Sequence, residues 1–390
     1  MSVVNHCVGS QSLCRCSNFG PLREIAMKPI NRRRFISNAV AVAASLSVPR
    51  VLTASKTGRK ERIFGQGEHQ YEFLHDWAQL PEPLRWQTTH NVAVDTQGLI
   101  YVIHEGRANQ PDHPSIFVFD DQGKMVRSFG KQFQGGGHGI EVRKEGNEEF
   151  LYIAAYQQVK SIAKLTLKGE TVWERFAPMQ SGVYAANEDT DRKQVWGRDR
   201  FMPTNFAFLP FDDTHQGDFF LADGYGSFYI HRYDKDGNWK SHFGGPGNQP
   251  GQFNTPHGLW IDNRQDSPTL VVTDRANHQI QVLSLEGEHL KTVDGYGLPA
   301  NLDARGDLMV VPELLGRVTL IDKGMQPLVQ LGDDRARVEA DKKFAIRGDE
   351  SQWLDEKFIH PHDACFDADG NIFVAEWVQG GRVSKLRKLT

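Results

Sequence analysis

From Arg62 onward, apolar and polar residues alternate in short runs, the pattern of strands that present successive side chains to opposite faces. Turn signals separate the runs: Asp95-Thr-Gln-Gly98, Asp120-Asp-Gln-Gly123, Asp234-Lys-Asp-Gly237 and Asp367-Ala-Asp-Gly370. A glycine at the end of each supplies the positive φ that tight hairpins need. No long segment carries a 3.6-residue period, although Gly332 to Asp349 has room for a short helix. The pattern predicts an all-β chain of many short strands, and the 37 glycines suit the number of turns this requires.

The clearest repeat runs from Phe243-Gly-Gly-Pro-Gly-Asn-Gln-Pro-Gly-Gln-Phe253 through Pro256-His-Gly-Leu-Trp-Ile-Asp262 and Leu270-Val-Val-Thr-Asp-Arg275 to Gln279-Ile-Gln-Val-Leu283. It resembles the NHL repeat, one four-stranded propeller blade. Laid along the chain, that template predicts a six-bladed β-propeller over about 62–390. Its inner strands would start near His90, His138, Thr204, His257, Leu298 and His362. Residues Arg62 to Leu80 precede the first inner strand and are expected to pair with the last blade, closing the ring and removing exposed edges. Gln180 to Phe201 and Gly332 to Phe358 interrupt the repeat and are expected to be loops on a channel mouth.

Three segments place a histidine at the same point of the repeat: Gly-Gly-His138-Gly-Ile-Glu-Val, Thr-Pro-His257-Gly-Leu-Trp-Ile and His-Pro-His362-Asp-Ala-Cys-Phe. They lie too far apart in sequence for a local element to unite them. The inner strands of a propeller face one central channel, so equivalent positions in different blades converge there. Three neutral imidazoles converging in a channel are a ligand set for a catalytic zinc that keeps one coordination position open. Imidazole also suits copper, nickel or iron.

The N-terminal region reads as an address. Asn31-Arg32-Arg33-Arg34-Phe35 before a small-residue apolar stretch resembles a twin-arginine export signal over 27–54, too short for a permanent membrane anchor. Met27 is then the expected start, with 1–26 a mis-called extension that carries Cys7, Cys14 and Cys16. The remaining thiol, Cys365, leaves no disulfide framework. The expectation is an exported protein, periplasmic or extracellular, whose partner on the way out is the twin-arginine machinery. A net charge of −4 argues against a nucleic-acid partner and leaves a small-molecule or peptide substrate.

More specific marks lie on successive blades: Gly137-His-Gly-Ile140, Asp223-Gly-Tyr225, Pro256-His-Gly258 with Asp274-Arg275, and Pro361-His-Asp363. Together they resemble the lyase of the peptidylglycine amidating system, which cleaves peptidyl-α-hydroxyglycine to a peptide amide and glyoxylate. The resemblance implies zinc ligands at His138, His257 and His362, a catalytic tyrosine at Tyr225 and a site-lining arginine at Arg275. It also implies a structural calcium held by Asp363 and by backbone carbonyls such as that of Ile140. Departures accompany it. Glu105 stands where the family has an active-site arginine, with Arg107 the nearest substitute; His360 replaces a methionine; the disulfide beside the tyrosine is missing; His90 adds a fourth channel histidine. Two function classes follow: a zinc-dependent carbon–nitrogen lyase, and a non-catalytic NHL propeller that binds a ligand or a protein. A calcium-dependent lactonase-like enzyme fits less well, because calcium prefers oxygen donors.

Overall fold

The computed structural model describes residues 63–389, apart from 76, 108 and 192–194. The twin-arginine segment, the extension before it and the three N-terminal cysteines lie outside the described residues. Among the described residues, the alternating runs form 25 strands in six antiparallel sheets. The first blade comprises Thr89–Val94, Ile100–His104, Ile116–Phe119 and Met125–Phe129; the second, Gly137–Glu145, Glu148–Ala155, Ser161–Thr166 and Thr171–Arg175. The third comprises Phe206–Phe208, Phe219–Ala222, Tyr229–Tyr233 and Trp239–Gly244, and the fourth Pro256–Asp262, Thr269–Asp274, Gln279–Leu283 and His289–Asp294. The fifth holds Asp303–Arg305, Leu308–Glu313, Arg317–Ile321 and Pro327–Leu331.

The sixth blade is built from both ends of this unit. Pro361–Phe366, Ile372–Glu376 and Arg382–Lys388 pair in order, and His69–Leu74 then adds antiparallel to Arg382–Lys388, with Phe73 opposite Leu386. Ile63–Gln66 completes the five-stranded sheet. The ring is therefore closed by the segment expected to close it.

The four Asp-x-x-Gly turns adopt the expected geometry, with φ of 80°, 79°, 78° and 85° at Gly98, Gly123, Gly237 and Gly370. The aspartate does more than start the turn. Asp95 Oδ1 accepts from the main-chain nitrogens of Gln97 and Leu99, both at 2.9 Å, so the side chain satisfies donors the hairpin leaves open.

One apolar core lies between each pair of neighbouring blades. Tyr101, Ile103, Ile116 and Val118 of the first blade meet Ile140, Leu151, Ile153 and Leu165 of the second, and five similar cores complete the circle. The second and third strands of a blade are covered on both faces. Ile100–His104 and Ile116–Phe119 are buried throughout, whereas the outermost strand Met125–Phe129 is not. Truncating one of these aromatics, such as Phe119, removes contacts to two sheets and costs about 3–5 kcal/mol.

Two inner strands begin later than expected, at Phe206 and Asp303. In the fifth blade Leu298 takes φ +58° and is followed by Pro299, so the chain reaches its neighbour through an isolated bridge to Glu313 before the strand begins. In the third, Asn205 Oδ1 accepts from the Phe206 nitrogen at 2.9 Å, which ends the irregular approach. The 332–358 insertion contains the α-helix Arg335–Ala340 and two short 3₁₀ turns, Ile346–Gly348 and Glu350–Gln352. Among the described residues no helix is long and apolar enough to cross a membrane.

Candidate metal centre in the channel

Four inner strands share a local irregularity. Their pairing register shifts between Thr89 and Asn91, Gly137 and Gly139, Pro256 and Leu259, and Pro361 and Asp363. Each shift brackets a histidine: His90, His138, His257 or His362. A β-bulge re-aims the side chain it carries, and here it turns an imidazole into the channel. The inner strands of blades three and five pair without a shift and carry no histidine. Close approach of the next blade fixes the flanking residues. A Cβ on Gly139 would lie 2.3 Å from the Thr204 carbonyl oxygen, and one on Gly258 would lie 2.5 Å from the Asn301 Cα.

The four imidazoles are buried and mutually close. Ring centroids lie 4.7 Å apart for His90–His138, 4.6 Å for His90–His362, 4.9 Å for both His138–His257 and His138–His362, and 4.6 Å for His257–His362. The ligating nitrogens of His90, His138 and His362 all fall within 4.8 Å of one another, so those three can hold a metal ion.

Main-chain acceptors fix the tautomers. His138 Nδ1 donates to Thr204 O at 3.0 Å, His257 Nδ1 to Ala300 O at 2.6 Å, and His362 Nδ1 to His90 O at 3.0 Å. A carbonyl can only accept, so each Nδ1 carries the proton and each Nε2 keeps a lone pair. This is the outer support that metal-binding histidines require. Burial holds all four imidazoles below the usual histidine range; neighbouring histidines and Arg275 add to it at His138, His257 and His362, while at His90 Arg347 and Arg275 add to it and Glu105 pushes back.

The Nε2 atoms of His138 and His257 lie 3.2 Å apart. Tyr225 Oη lies 3.0 Å from His257 Nε2 and 3.3 Å from His138 Nε2, and its single proton can serve only one of them. His362 Nε2 and both nitrogens of His90 are buried without a hydrogen-bond partner. Nitrogens bound at about 2.0–2.1 Å to one tetrahedral ion lie about 3.3 Å apart, so lone pairs at this spacing fit a cation. The residues present therefore suit an imidazole-bound metal.

Around this cluster, Arg275 Nη1 donates to Tyr225 Oη at 3.1 Å and the guanidinium lies 4.9 Å from the ring centre. Burial raises the Tyr225 hydroxyl and Arg275 opposes it. The Asp274-Arg275 pair divides its work: Asp274 accepts from Asn254, Asn277, Gln279 and Gln281 and holds the turn, while Arg275 faces the cavity. Glu105 Oε1 accepts from Gln157 at 2.6 Å, and its Oε2 stands 3.6 Å from His90 Nε2. His360 lines the same cavity but donates Nδ1 to Leu314 O at 2.6 Å and packs against Phe344 and Trp377. Arg107 is exposed and does not line the cavity, so it does not replace the missing arginine.

A second polar set lies beside the first. Asp363 Oδ2 accepts from the Val92 nitrogen at 2.8 Å and Oδ1 from Asn301 Nδ2 at 2.5 Å. Burial raises the carboxyls of Asp363 and of Glu141, which follows the buried Ile140; repulsion from Asp363 and Asp303 adds to it at Glu141, and repulsion from Asp303 at Asp363. Burial pushes Asp303 up to about 7. The side-chain oxygens of Asn301 and Asn91 are buried without a donor. A cluster rich in oxygen, with acceptors left unpaired, suits a hard cation such as calcium.

The cavity above the histidines encloses about 820 Å³. Both insertions reach it, 180–201 through Trp196 and 332–358 through Val338 to Arg347. Every blade also contributes a residue just beyond its second strand: Glu105, Tyr156, Tyr225, Arg275, Leu314 and Trp377 all line it. Sequence reasoning selected three of these and passed over Tyr156, Leu314 and Trp377, although the repeat places all six alike. It also missed Arg347, Glu141 and Asn301.

No family model matches the chain. It is 28% identical over 185 residues to peptidyl-glycine alpha-amidating monooxygenase B of Xenopus laevis, a match covering 46% of this chain and 19% of that protein. The chain thus spans about a fifth of the length of its frog relatives. It is 22% identical over 285 residues to the probable peptidyl-alpha-hydroxyglycine alpha-amidating lyase pgal-1 of Caenorhabditis elegans, covering 71% of each chain. Among solved structures, virginiamycin B lyase from Staphylococcus aureus aligns at 11% identity over 82% of this chain and 99% of its own, with a TM-score of 0.49. The chain is a six-bladed β-propeller with sequence similarity to peptidylglycine amidating enzymes and to their lyase.

Proposed function

We propose that this protein is an exported, zinc-dependent carbon–nitrogen lyase that cleaves a carbinolamide, an N-acyl α-hydroxyglycine, into an amide and glyoxylate or a related aldehyde. The observation that carries the reading is the 3.2 Å approach of two Nε2 lone pairs beside the Tyr225 hydroxyl in a buried channel. The similarity to the amidating enzymes supports it.

His138, His257 and His362, the set the resemblance implies, would hold the zinc, with His90, which groups with His138 and His362, as a further imidazole within reach. When bound, zinc supplies Lewis acidity toward the substrate hydroxyl. The reaction breaks the C–N bond, turns the hydroxyl carbon into an aldehyde and moves the hydroxyl proton to the departing amide nitrogen. Tyr225 is the group that relays this proton: in one concerted transfer the phenol gives its own proton to the departing nitrogen and receives the hydroxyl's in its place. Arg275 orients the phenol through its 3.1 Å hydrogen bond and offers its remaining N–H groups to the substrate carboxylate. Asp363 and the Ile140 carbonyl would hold calcium and brace the inner strands. Export by the twin-arginine route would deliver a protein already folded around its metal.

The test is metal content by mass spectrometry, with glyoxylate release from an α-hydroxyglycine peptide measured on the same samples. About one zinc per chain, lost in His257→Ala together with turnover, is the expected result. Metal-loaded protein that releases no glyoxylate from several such peptides overturns the reaction. Glu105, a half-buried carboxylate whose Oε2 stands 3.6 Å from His90 Nε2, favours a second reading, a propeller that binds a ligand without cleaving it.

A further inference from the structure

Buried arginines in this protein are otherwise neutralised or spent on carbonyls. Arg317 pairs with Glu313, Arg382 with Glu376 and Arg264 with Asp262, while Arg143 donates to the carbonyls of Leu209 and Gly217. Two half-buried guanidinium groups, Arg275 and Arg347, lack a carboxylate partner, and both line the cavity above the histidines. Among the described residues no carboxylate lies within ion-pair distance of either. Of the acids on the same wall, Asp341 accepts from the Ile346 nitrogen and Glu339 pairs with Arg335; Glu105 accepts from Gln157, and its charge acts on Arg347 without forming an ion pair.

Arg347 is held firmly, which separates it from a surface arginine. Its Nε donates to Trp377 O at 3.0 Å and Nη2 reaches Thr88 Oγ1 at 3.3 Å. The guanidinium lies 3.6 Å from the centre of the Trp377 ring, and its own carbonyl accepts from the Gln379 nitrogen at 3.2 Å. These contacts use one edge and one face and leave Nη1 without a partner. Arg275 likewise spends only Nη1, on Tyr225, and keeps Nε and Nη2. Both charges act on His90 and Tyr156, so they bear on the same part of the channel. A cavity with two preorganised, unneutralised guanidinium groups is complementary to a planar anion, and preorganisation reduces the ordering cost of binding it.

We propose that Arg347 and Arg275 form a clamp for the carboxylate of the substrate, with Arg347 the specificity-determining member supplied by the 332–358 insertion. The identity of that anion, the free carboxylate of an N-acyl glycine derivative, rests on the lyase reading above; the clamp itself does not. The ligand class is therefore an acylated α-amino acid with an unblocked carboxylate, and the corresponding carboxamide is excluded. Glu105 works against the clamp, because its carboxylate faces the same anion.

The test is calorimetric binding of N-benzoylglycine, which cannot be cleaved, and of neutral N-benzoylglycinamide to the metal-loaded protein. Wild type is expected to prefer the acid by about 10- to 100-fold, the range for hydrogen bonds to a charged group. Arg347→Ala is expected to lose most of that preference, and Glu105→Gln to strengthen it. Arg347→Lys keeps the charge without the fork and covers the case in which the alanine variant does not fold; it is expected to retain part of the preference. Equal binding of acid and amide by wild type, no binding of either, or an unchanged preference in Arg347→Ala and Arg347→Lys overturns the clamp. Glyoxylate release on the same samples separates the two ideas. A lost preference with no turnover in wild type leaves the clamp and overturns the lyase, and turnover with an unchanged preference does the reverse.

Discussion

The channel holds two clusters that burial affects in opposite directions. At His138, His257 and His362 it disfavours the cation and drives the imidazoles to their neutral form. At Glu141, Asp303 and Asp363 it disfavours the anion and drives the carboxyls toward protonation. The same loss of water thus strips both clusters of charge. They differ in donor and in local backbone. The nitrogens sit on bulges that turn them inward with Nδ1 tied to carbonyls. Glu141 lies in the regular ladder opposite Tyr152, and Asp363, beyond its bulge, opposite Ala375. The difference teaches that one dry channel can carry two donor sets of different chemical preference, nitrogen suited to a borderline metal and oxygen to a hard one.

The strongest way to break the comparison is to delete a nitrogen. His138→Ala or His257→Ala should abolish metal retention and turnover while leaving any calcium-dependent rise in melting temperature intact, as mass spectrometry and thermal melts with and without calcium would report. Tyr225→Phe should lower kcat by about 10²- to 10⁴-fold, the usual worth of a positioned proton-transfer group, with metal content unchanged. Asp363→Asn should do the opposite of the histidine variants: zinc stays, and the stabilisation by calcium disappears, a shift of a few degrees in thermal melts.

The smallest effect concerns pH. The folded Asp303 carboxyl titrates near 7, above its ordinary value of 3.8. A group raised on folding contributes stability that is complete below its unfolded pKa and is lost as pH climbs through the folded one. Metal-free protein should therefore lose stability between about pH 4 and 7. Asp303→Asn should flatten that fall and melt a few degrees higher than wild type at pH 8, with no gain at pH 4. Identical pH profiles for the two proteins would contradict the assignment.

The alternating runs and the Asp-x-x-Gly turns made the blades legible, because both signals are local and recur. The three histidines were legible for the same reason: a repeat that folds the same way each time delivers equivalent positions to one axis. His90 obeyed that rule too, and the structure brings it within 4.7 Å of His138 rather than leaving it apart. What could not be read were contacts that obey no repeat. Arg347 comes from an insertion outside the repeat, and its direction is set by Trp377 of the sixth blade and Thr88 just before the first. Glu141 was hidden differently. It follows the strand's outward-facing polar pattern, and only the packing of Asn205 and Asn301 against it marks it as internal.

The clasp that closes the ring has a consequence for when the metal centre can exist. His362 lies in the only blade assembled from both ends of the unit, and its Nδ1 is anchored to His90 in the first. The last blade cannot take up His69–Leu74 until Arg382–Lys388 has been made. Synthesis must therefore pass Lys388 before the first strands of the unit find their partner, and loss of Arg382–Lys388 leaves His69–Leu74 unpaired and the blade that carries His362 open at its outer edge.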